Sequence, residues 1–339
     1  MAEAERFVRK AVNMNRNLFP LLLAALAMVL PFILGLNEYY LFLTTLILLY
    51  TSIVVAWQLI GGYGGQLDLG AGAYHGLGAI ITGYLMVYHG ISGWLGLIVS
   101  GLAAAGVAFI IGYPSFRFGI REVWYALSSL ALVLILQKIF LLWTDVAGPL
   151  ERYIPYAAFD PFFMRSGYKA FYYYVSLALL AATFVIVYRV RKGKTGLYLL
   201  SIRENEEAAE MLGVDIRKYK LRALMIYSFI AAMTGGIYTS MVGFYHPTLF
   251  DSWISIQTVT LAIAGGLGHF WGPPILSVIL LSVQEYLRIS VGAVVIGLHQ
   301  VIFGIILVLI ILFKPDGIGP LIDSFSKKIG LMKAPLVSR

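Results

Sequence analysis

The sequence predicts an all-α fold, a polytopic membrane helix bundle of about ten transmembrane helices with a short cytoplasmic helix between two membrane blocks. Three observations predict it. Of 339 residues, 60% are hydrophobic and only 12% charged, with mean hydropathy +0.84; soluble domains carry about a quarter charged residues. The apolar residues gather into repeated runs near the length a bilayer requires. One polar stretch, Ser201-Ile-Arg-Glu-Asn-Glu-Glu-Ala-Ala-Glu-Met-Leu-Gly213, interrupts those runs. The chain has no cysteine, which excludes disulfides, thiol chemistry and iron–sulfur ligation. Its net charge of +8 is read as loop charge rather than a nucleic-acid footprint, because no basic, aromatic-interleaved stretch accompanies it.

Residues 1–17 are polar and basic, with Arg6, Arg9, Lys10 and Arg16. Leu18 to Leu36 forms the expected first span. Ala25 and Ala27 imitate a signal-peptide cleavage site but lie inside the run, so an uncleaved anchor is expected. Further runs fall at about 40–60, 70–88, 93–112, 123–143, 170–188, 222–242, 253–267, 273–289 and 293–313. The expected organisation is a segment 1–17, a first membrane block 18–188, a coupling segment 189–221, a second block 222–313 and a tail 314–339.

Lysine and arginine placement sets the orientation. With the N-terminus inside, twenty of the 25 fall on the inner side: four before the first span, Arg117 and Arg121, a dense group from Arg189 to Arg222, and five from Lys314 onward. Both termini are then cytoplasmic. The longest outer loop, about 144–168, is rich in proline and aromatic residues, as expected at headgroup depth, and could hold an interfacial helix. Small residues at every fourth position, Ser100, Ala104, Ala108, Gly112 and Ser228, Ala232, Gly236, Ser240, predict closely packed helix backbones.

The polar stretch reads as one helix. Ser201 and Glu204 form a capping box, Gly213 a left-handed stop, and Arg203 and Glu207 an i, i+4 pair. Such a helix is on the order of 16 Å long, too short and too charged to span a bilayer. It is either a solvated loop helix or a docking element for a soluble partner.

Two glycine-rich breaks follow spans that arrive at the same side: Gly61-Gly-Tyr-Gly-Gly-Gln-Leu-Asp-Leu-Gly70 and Gly265-Gly-Leu-Gly-His-Phe-Trp-Gly-Pro-Pro274. They are either tight turns or broken helices along a pathway. The pathway candidates are Gln66, Asp68, Gln257, Gly265 and Gly266. For Asp68 an N-cap of a span starting near Leu69 is the favoured reading over a transport role. Gln257 is expected to hydrogen-bond across helices. Glu285 and Arg288 are expected to neutralise each other three residues apart.

No catalytic set, cofactor site or metal site is expected. Gly193-Lys194-Thr195 imitates the end of a phosphate-binding loop, but Tyr188 stands where the loop requires glycine. His75, His89, His246, His269 and His299 show no metal-ligand spacing.

Several motifs in order resemble the permease subunits of branched-chain amino-acid ABC importers, of the larger, LivM type. They are residues 201–213, Tyr219-Lys-Leu, Gly235-Gly-Ile-Tyr, Gly243-Phe-Tyr-His-Pro247, the two glycine-rich breaks and Phe313-Lys-Pro-Asp-Gly-Ile318. The resemblance implies that Glu207-Ala-Ala-x-x-x-Gly213 is a coupling loop docking into a groove on an ATPase. It assigns Ser201, Arg203, Glu204, Glu207, Ala208, Ala209 and Gly213 to that contact. It further implies a second homologous permease, two ATP-binding cassette subunits that hydrolyse ATP, and an extracytoplasmic solute-binding protein. These would act in a prokaryotic cell membrane, with no nucleic acid involved. Asp68, Ala71 and Gln257 stand where that family usually carries Ser, His and Glu. Permeation of urea or short amides is the alternative within the resemblance. A stand-alone proton-coupled carrier and a lipid-acting membrane enzyme are the alternatives outside it.

Overall fold

The computed structural model describes residues 28–33, 35, 37–120, 122–155, 159–290 and 297–321. The expected segment 1–17 and most of the tail therefore lie outside the described residues. Of the expected first span, residues 28–33 and 35 are described, and 28–33 are helical.

Helix α1, Glu38–Trp57, begins where Asn37 accepts hydrogen bonds from the Tyr39 and Tyr40 amides, the arrangement that makes asparagine a strong cap. It runs directly into a π-helical turn, Gln58–Tyr63. Helices α2 (Ala71–Tyr88), α3 (Gly93–Arg117) and α4 (Glu122–Leu142) follow. After the outer loop come α5 (Lys169–Lys192), α6 (Lys194–Glu204), α7 (Glu206–Met211) and α8 (Ile216–Val242). Helices α9 (Ser252–Gly265), α10 (Gly272–Ser290) and α11 (Leu298–Phe313) complete the described chain.

By length and composition, five described helical stretches can cross a membrane: Glu38–Tyr63, Gly93–Arg117, Val123–Leu142, Lys169–Lys192 and Ile216–Val242. Helix α2 is buried along most of its length, as a helix apolar all round must be. It packs against α3 and α8, α1 packs against α5 and α10, and α9 packs against α10.

The small residues do what their spacing predicts. A Cβ on Gly78 would lie 1.8 Å from the Ala232 carbonyl oxygen, and one on Gly235 would lie 1.9 Å from that of His75. The α2 and α8 backbones are thus in direct contact, a separation no larger side chain permits. Gly112 faces Leu224, and Gly236 faces Leu97 and Thr82.

The outer loop forms no helix among its described residues. Arg152–Tyr153 (β1) pairs antiparallel with Phe244–Tyr245 (β4), and Phe159–Asp160 (β2) pairs with Arg165–Ser166 (β3). The β1–β4 pair is reinforced by Ile154 N donating to Gly243 O at 2.8 Å and the Tyr245 hydroxyl donating to Val146 O at 3.0 Å. Prolines 149, 155 and 161 suit such short extended pieces better than a helix.

Candidate functional site: a polar segment joined to two backbone breaks

The polar stretch folds as two helices, not one. Asn205 adopts an extended conformation (φ −160°, ψ 112°) that ends α6 and starts α7. Its Oδ1 accepts from Ala208 N at 2.9 Å. The capping box at Ser201 and Glu204 is therefore not formed. Ser201 lies in the last turn of α6 and donates to Tyr198 O at 2.8 Å. Asparagine caps as well as serine, and Glu206 and Glu207 directly after Asn205 place negative charge at the positive end of α7. The break also removes the i, i+4 relation assumed for Arg203 and Glu207, which now sit on different helices.

The expected stop at Gly213 is present. Its φ is +82°, Val214 N donates to Ala209 O, and Gly213 N donates to Glu210 O, the paired bonds of a Schellman ending. Ala209 is buried within the chain, whereas Met211 and Leu212 are 87% and 83% exposed. Glu204, Glu207, Ala208 and Glu210 are exposed as well. The end of this six-residue helix and its C-cap thus present two large apolar side chains to solvent.

The two glycine-rich breaks meet beneath this segment. Arg203 Nη1 donates to Gly62 O at 2.7 Å. Gln58, in the π turn, accepts from Gly268 N at 3.0 Å through Oε1, while its Nε2 donates to Ala262 O at 3.4 Å. A Cβ on Gly268 would come 2.6 Å from Arg203 Nη1, and one on Gly65 would come 3.1 Å from Arg203 Cγ. Both glycines also have positive φ, +66° at Gly65 and +77° at Gly268, a conformation that favours glycine where Arg203 and the second break approach each other. Gly265 and Gly266 are buried, Gly266 has φ +104°, and a Cβ on Gly265 would meet the Pro273 backbone at 2.3 Å. Ile318 N donates to Ala264 O at 3.0 Å, so the Lys314–Ile318 motif closes on the same junction. A polar cleft of about 340 Å³ separates Gly64–Gln66 from Ile202–Glu207.

Gln66 is buried, and its Oε1 accepts from Lys220 Nζ at 2.8 Å. Lys220 also forms an ion pair with Glu206. Asp68 is fully buried, but it is not the cap of α2. The helix starts at Ala71 with Gly70 in the cap position and no side-chain cap bond. Asp68 Oδ1 instead accepts from Gly70 N at 2.8 Å, fixing the turn before the helix, and its carbonyl accepts from Trp57 Nε1 at 2.9 Å. The hydroxyls of Tyr125 and Tyr227 face its carboxylate, although Oδ2 and the two hydroxyls do not reach aligned hydrogen-bond geometry. Leu69 N donates to Ser129 Oγ and Gly72 N to Ser255 Oγ, both at 2.9 Å, so α4 and α9 hold the turn from two sides. Gln257 hydrogen-bonds to Gln284 across α9 and α10, as expected. Arg288 pairs with Glu285 at 2.7 Å, also as expected.

Sequence reasoning missed Gln58 and Lys220. Lys220 had a readable signal: it occupies the stripe of α8 that continues through Ala223, Leu224 and Tyr227, all buried, where a lysine is out of place unless paired.

Apolar helices long enough to span a bilayer, with closely apposed interior backbones and a polar segment tied to two backbone discontinuities, define a polytopic helical membrane protein. The chain belongs to the branched-chain amino acid transport system / permease component family, whose sequence model matches residues 39–311. It is 25% identical to the high-affinity branched-chain amino acid transport system permease protein LivM of Escherichia coli K12, over 93% of this chain and 78% of that relative. The Salmonella typhimurium LivM protein is 23% identical over the same shares. A probable branched-chain amino acid transport permease protein LivH of Methanocaldococcus jannaschii is 24% identical over 73% of this chain and 81% of its own length. No solved structure matches the chain.

Proposed function

We propose that the chain is the membrane subunit of an ABC importer moving branched-chain or related apolar amino acids inward, driven through residues 201–213. The observation that carries the coupling role is the segment 203–213, exposed at Met211 and Leu212 yet joined through Arg203 and Lys220 to the backbone breaks. The relatives' names support the substrate class and favour neither urea or short amides nor a proton-coupled carrier. In this reading Ser201, Arg203, Glu204, Glu207, Ala208, Ala209 and Gly213 build the ATPase contact. Closure of two partner ATPases displaces α7, and the bundle between blocks 18–188 and 222–313 alternates its access. Gln66, Asp68, Gln257, Gly265 and Gly266 border the moving region. A second homologous permease completes the pathway, and an external solute-binding protein delivers the substrate.

The test is uptake by vesicles holding the chain with its partner subunits. Labelled leucine is expected to accumulate only with internal ATP and the binding protein, and urea not to accumulate. Accumulation by this chain alone under a proton gradient would overturn the proposal.

Orientation has its own test. The chain lacks cysteine, so Ser201→Cys introduces one thiol, which an impermeant reagent outside intact cells is expected to leave unlabelled. Labelling from outside would reverse the assignment of residues 189–221 and both termini to the cytoplasm of a prokaryotic cell.

A further inference from the structure

Resting on that coupling role, we infer that Lys220 is the positioning residue that makes the docking helix and the first backbone break move together. Lys220 is 2% exposed, at the start of α8. An ammonium withdrawn from water is tolerated only when paired and hydrogen-bonded. It forms an ion pair with Glu206, the first residue of α7. Its Nζ donates to the Gln66 carboxamide oxygen, in the turn that follows the π-helical break. Its Nζ also lies 5.8 Å from the centre of the Phe116 ring, which stacks on Tyr125 at 5.2 Å. Tyr125 in turn faces Asp68. Lys220 thus touches the docking helix on one side and the Gln66–Asp68 turn on the other.

The mechanical consequence follows from burial. Tilting α7 outward draws the Glu206 carboxylate away from an ammonium that has little access to water. The cheaper motion carries Lys220, the start of α8 and Gln66 along with α7. Arg203 fastens the other side of the Asn205 joint, through Gly62 O. Both helices of the docking segment are therefore tied to residues 58–70, and through Gln58 and Gly268 to the second break. Displacement at α7 reaches the interior without passing through the joint at Asn205.

The experiment uses the assembled transporter in vesicles and reads leucine moved per ATP hydrolysed. Lys220→Met keeps most of the length and the apolar stem but removes the charge. Its complex is expected to assemble and melt as the parent does and to keep hydrolysing ATP, while leucine moved per ATP falls at least about fivefold, the lower range for coupling between two sites. Lys220→Arg is expected to restore most of the ratio. Glu206→Gln is expected to reproduce the defect, and the double variant to be no worse than either single, because they remove one shared interaction. Gln66→Met, which leaves the Lys220–Glu206 pair in place, is expected to uncouple as well and decides the matter where Lys220→Met does not assemble. A parental ratio in Gln66→Met, or additive defects in the double variant, overturns the inference. A parental chain that neither binds ATPases nor couples hydrolysis to uptake overturns the proposed function instead, so the two failures are distinguishable.

Discussion

Gly213→Val is expected to leave the membrane bundle folded and to weaken ATPase docking by about tenfold, the shift that 1.4 kcal/mol produces. The cause is local. Gly213 has φ +82°, and a Cβ there would meet nothing within 4 Å. The penalty is therefore backbone strain alone, about 1–2 kcal/mol for an L residue in the left-handed region, and more for a β-branched one. Helix α7 has six residues and cannot absorb that strain. Releasing it means giving up the Val214-to-Ala209 and Gly213-to-Glu210 bonds, which unwinds the turn that presents Met211 and Leu212. Gly213→Asn separates strain from any other effect of a side chain, because asparagine tolerates the left-handed conformation. It is expected to keep most of the docking. Co-purification of the ATPases and leucine-stimulated hydrolysis are the measurements. Equal docking by the parent and by Gly213→Val would reduce α7 to a solvated loop helix.

Those elements that depend on local chemistry or on composition were legible in the sequence. Apolar runs fixed the helices, because a membrane helix satisfies its own backbone and so needs only length and hydropathy. Gly213 was legible because a left-handed stop has few acceptable residues. Glu285–Arg288 and Gln257 were legible because the needed partner lies one turn away or on an adjacent helix. The break at Asn205 was harder to read. Ser201 and Asn205 are both good caps, and either could begin a helix ahead of Glu206–Met211. The choice fell to Asn205 where α6 packs against the π turn and α8, with Leu199 and Ile202 buried, a tertiary preference invisible to local propensity. The meeting of the glycine breaks was not legible either. Gln58 and Gly268 are 210 positions apart, and nothing in the spacing of either motif names the other. Lys220 lies among the loop charges in sequence, yet its helical phase with Leu224 and Tyr227 marks it as buried.

Asp68→Leu is expected to destabilise the chain by about 1–3 kcal/mol for each buried group it strands, whereas Asp68→Asn is expected to preserve the fold and most transport. The difference follows from which atoms the carboxyl serves. Oδ1 holds the Gly70 amide at 2.8 Å, immediately before α2. An asparagine carboxamide supplies the same acceptor at the same place, and its NH2 can meet the Tyr125 or Tyr227 oxygen on the other side. A leucine of similar bulk supplies neither. It leaves the Gly70 amide without its side-chain acceptor and sets both phenol hydroxyls, fully buried, against hydrocarbon. The damage is not confined to one turn. The Asp68 carbonyl holds Trp57, Leu69 is held by Ser129 and Gly72 by Ser255, so loosening residues 66–72 loosens the grip of α1, α4 and α9 on the start of α2. Thermal unfolding of the detergent-solubilised protein measures the stability, and leucine uptake at matched protein levels measures the function. If Asp68→Asn unfolds at the parental temperature yet transports nothing, the ionised carboxyl itself acts in transport, and its role in shaping the turn is secondary. If Asp68→Leu is as stable as the parent, the contacts of Asp68 do not hold the turn.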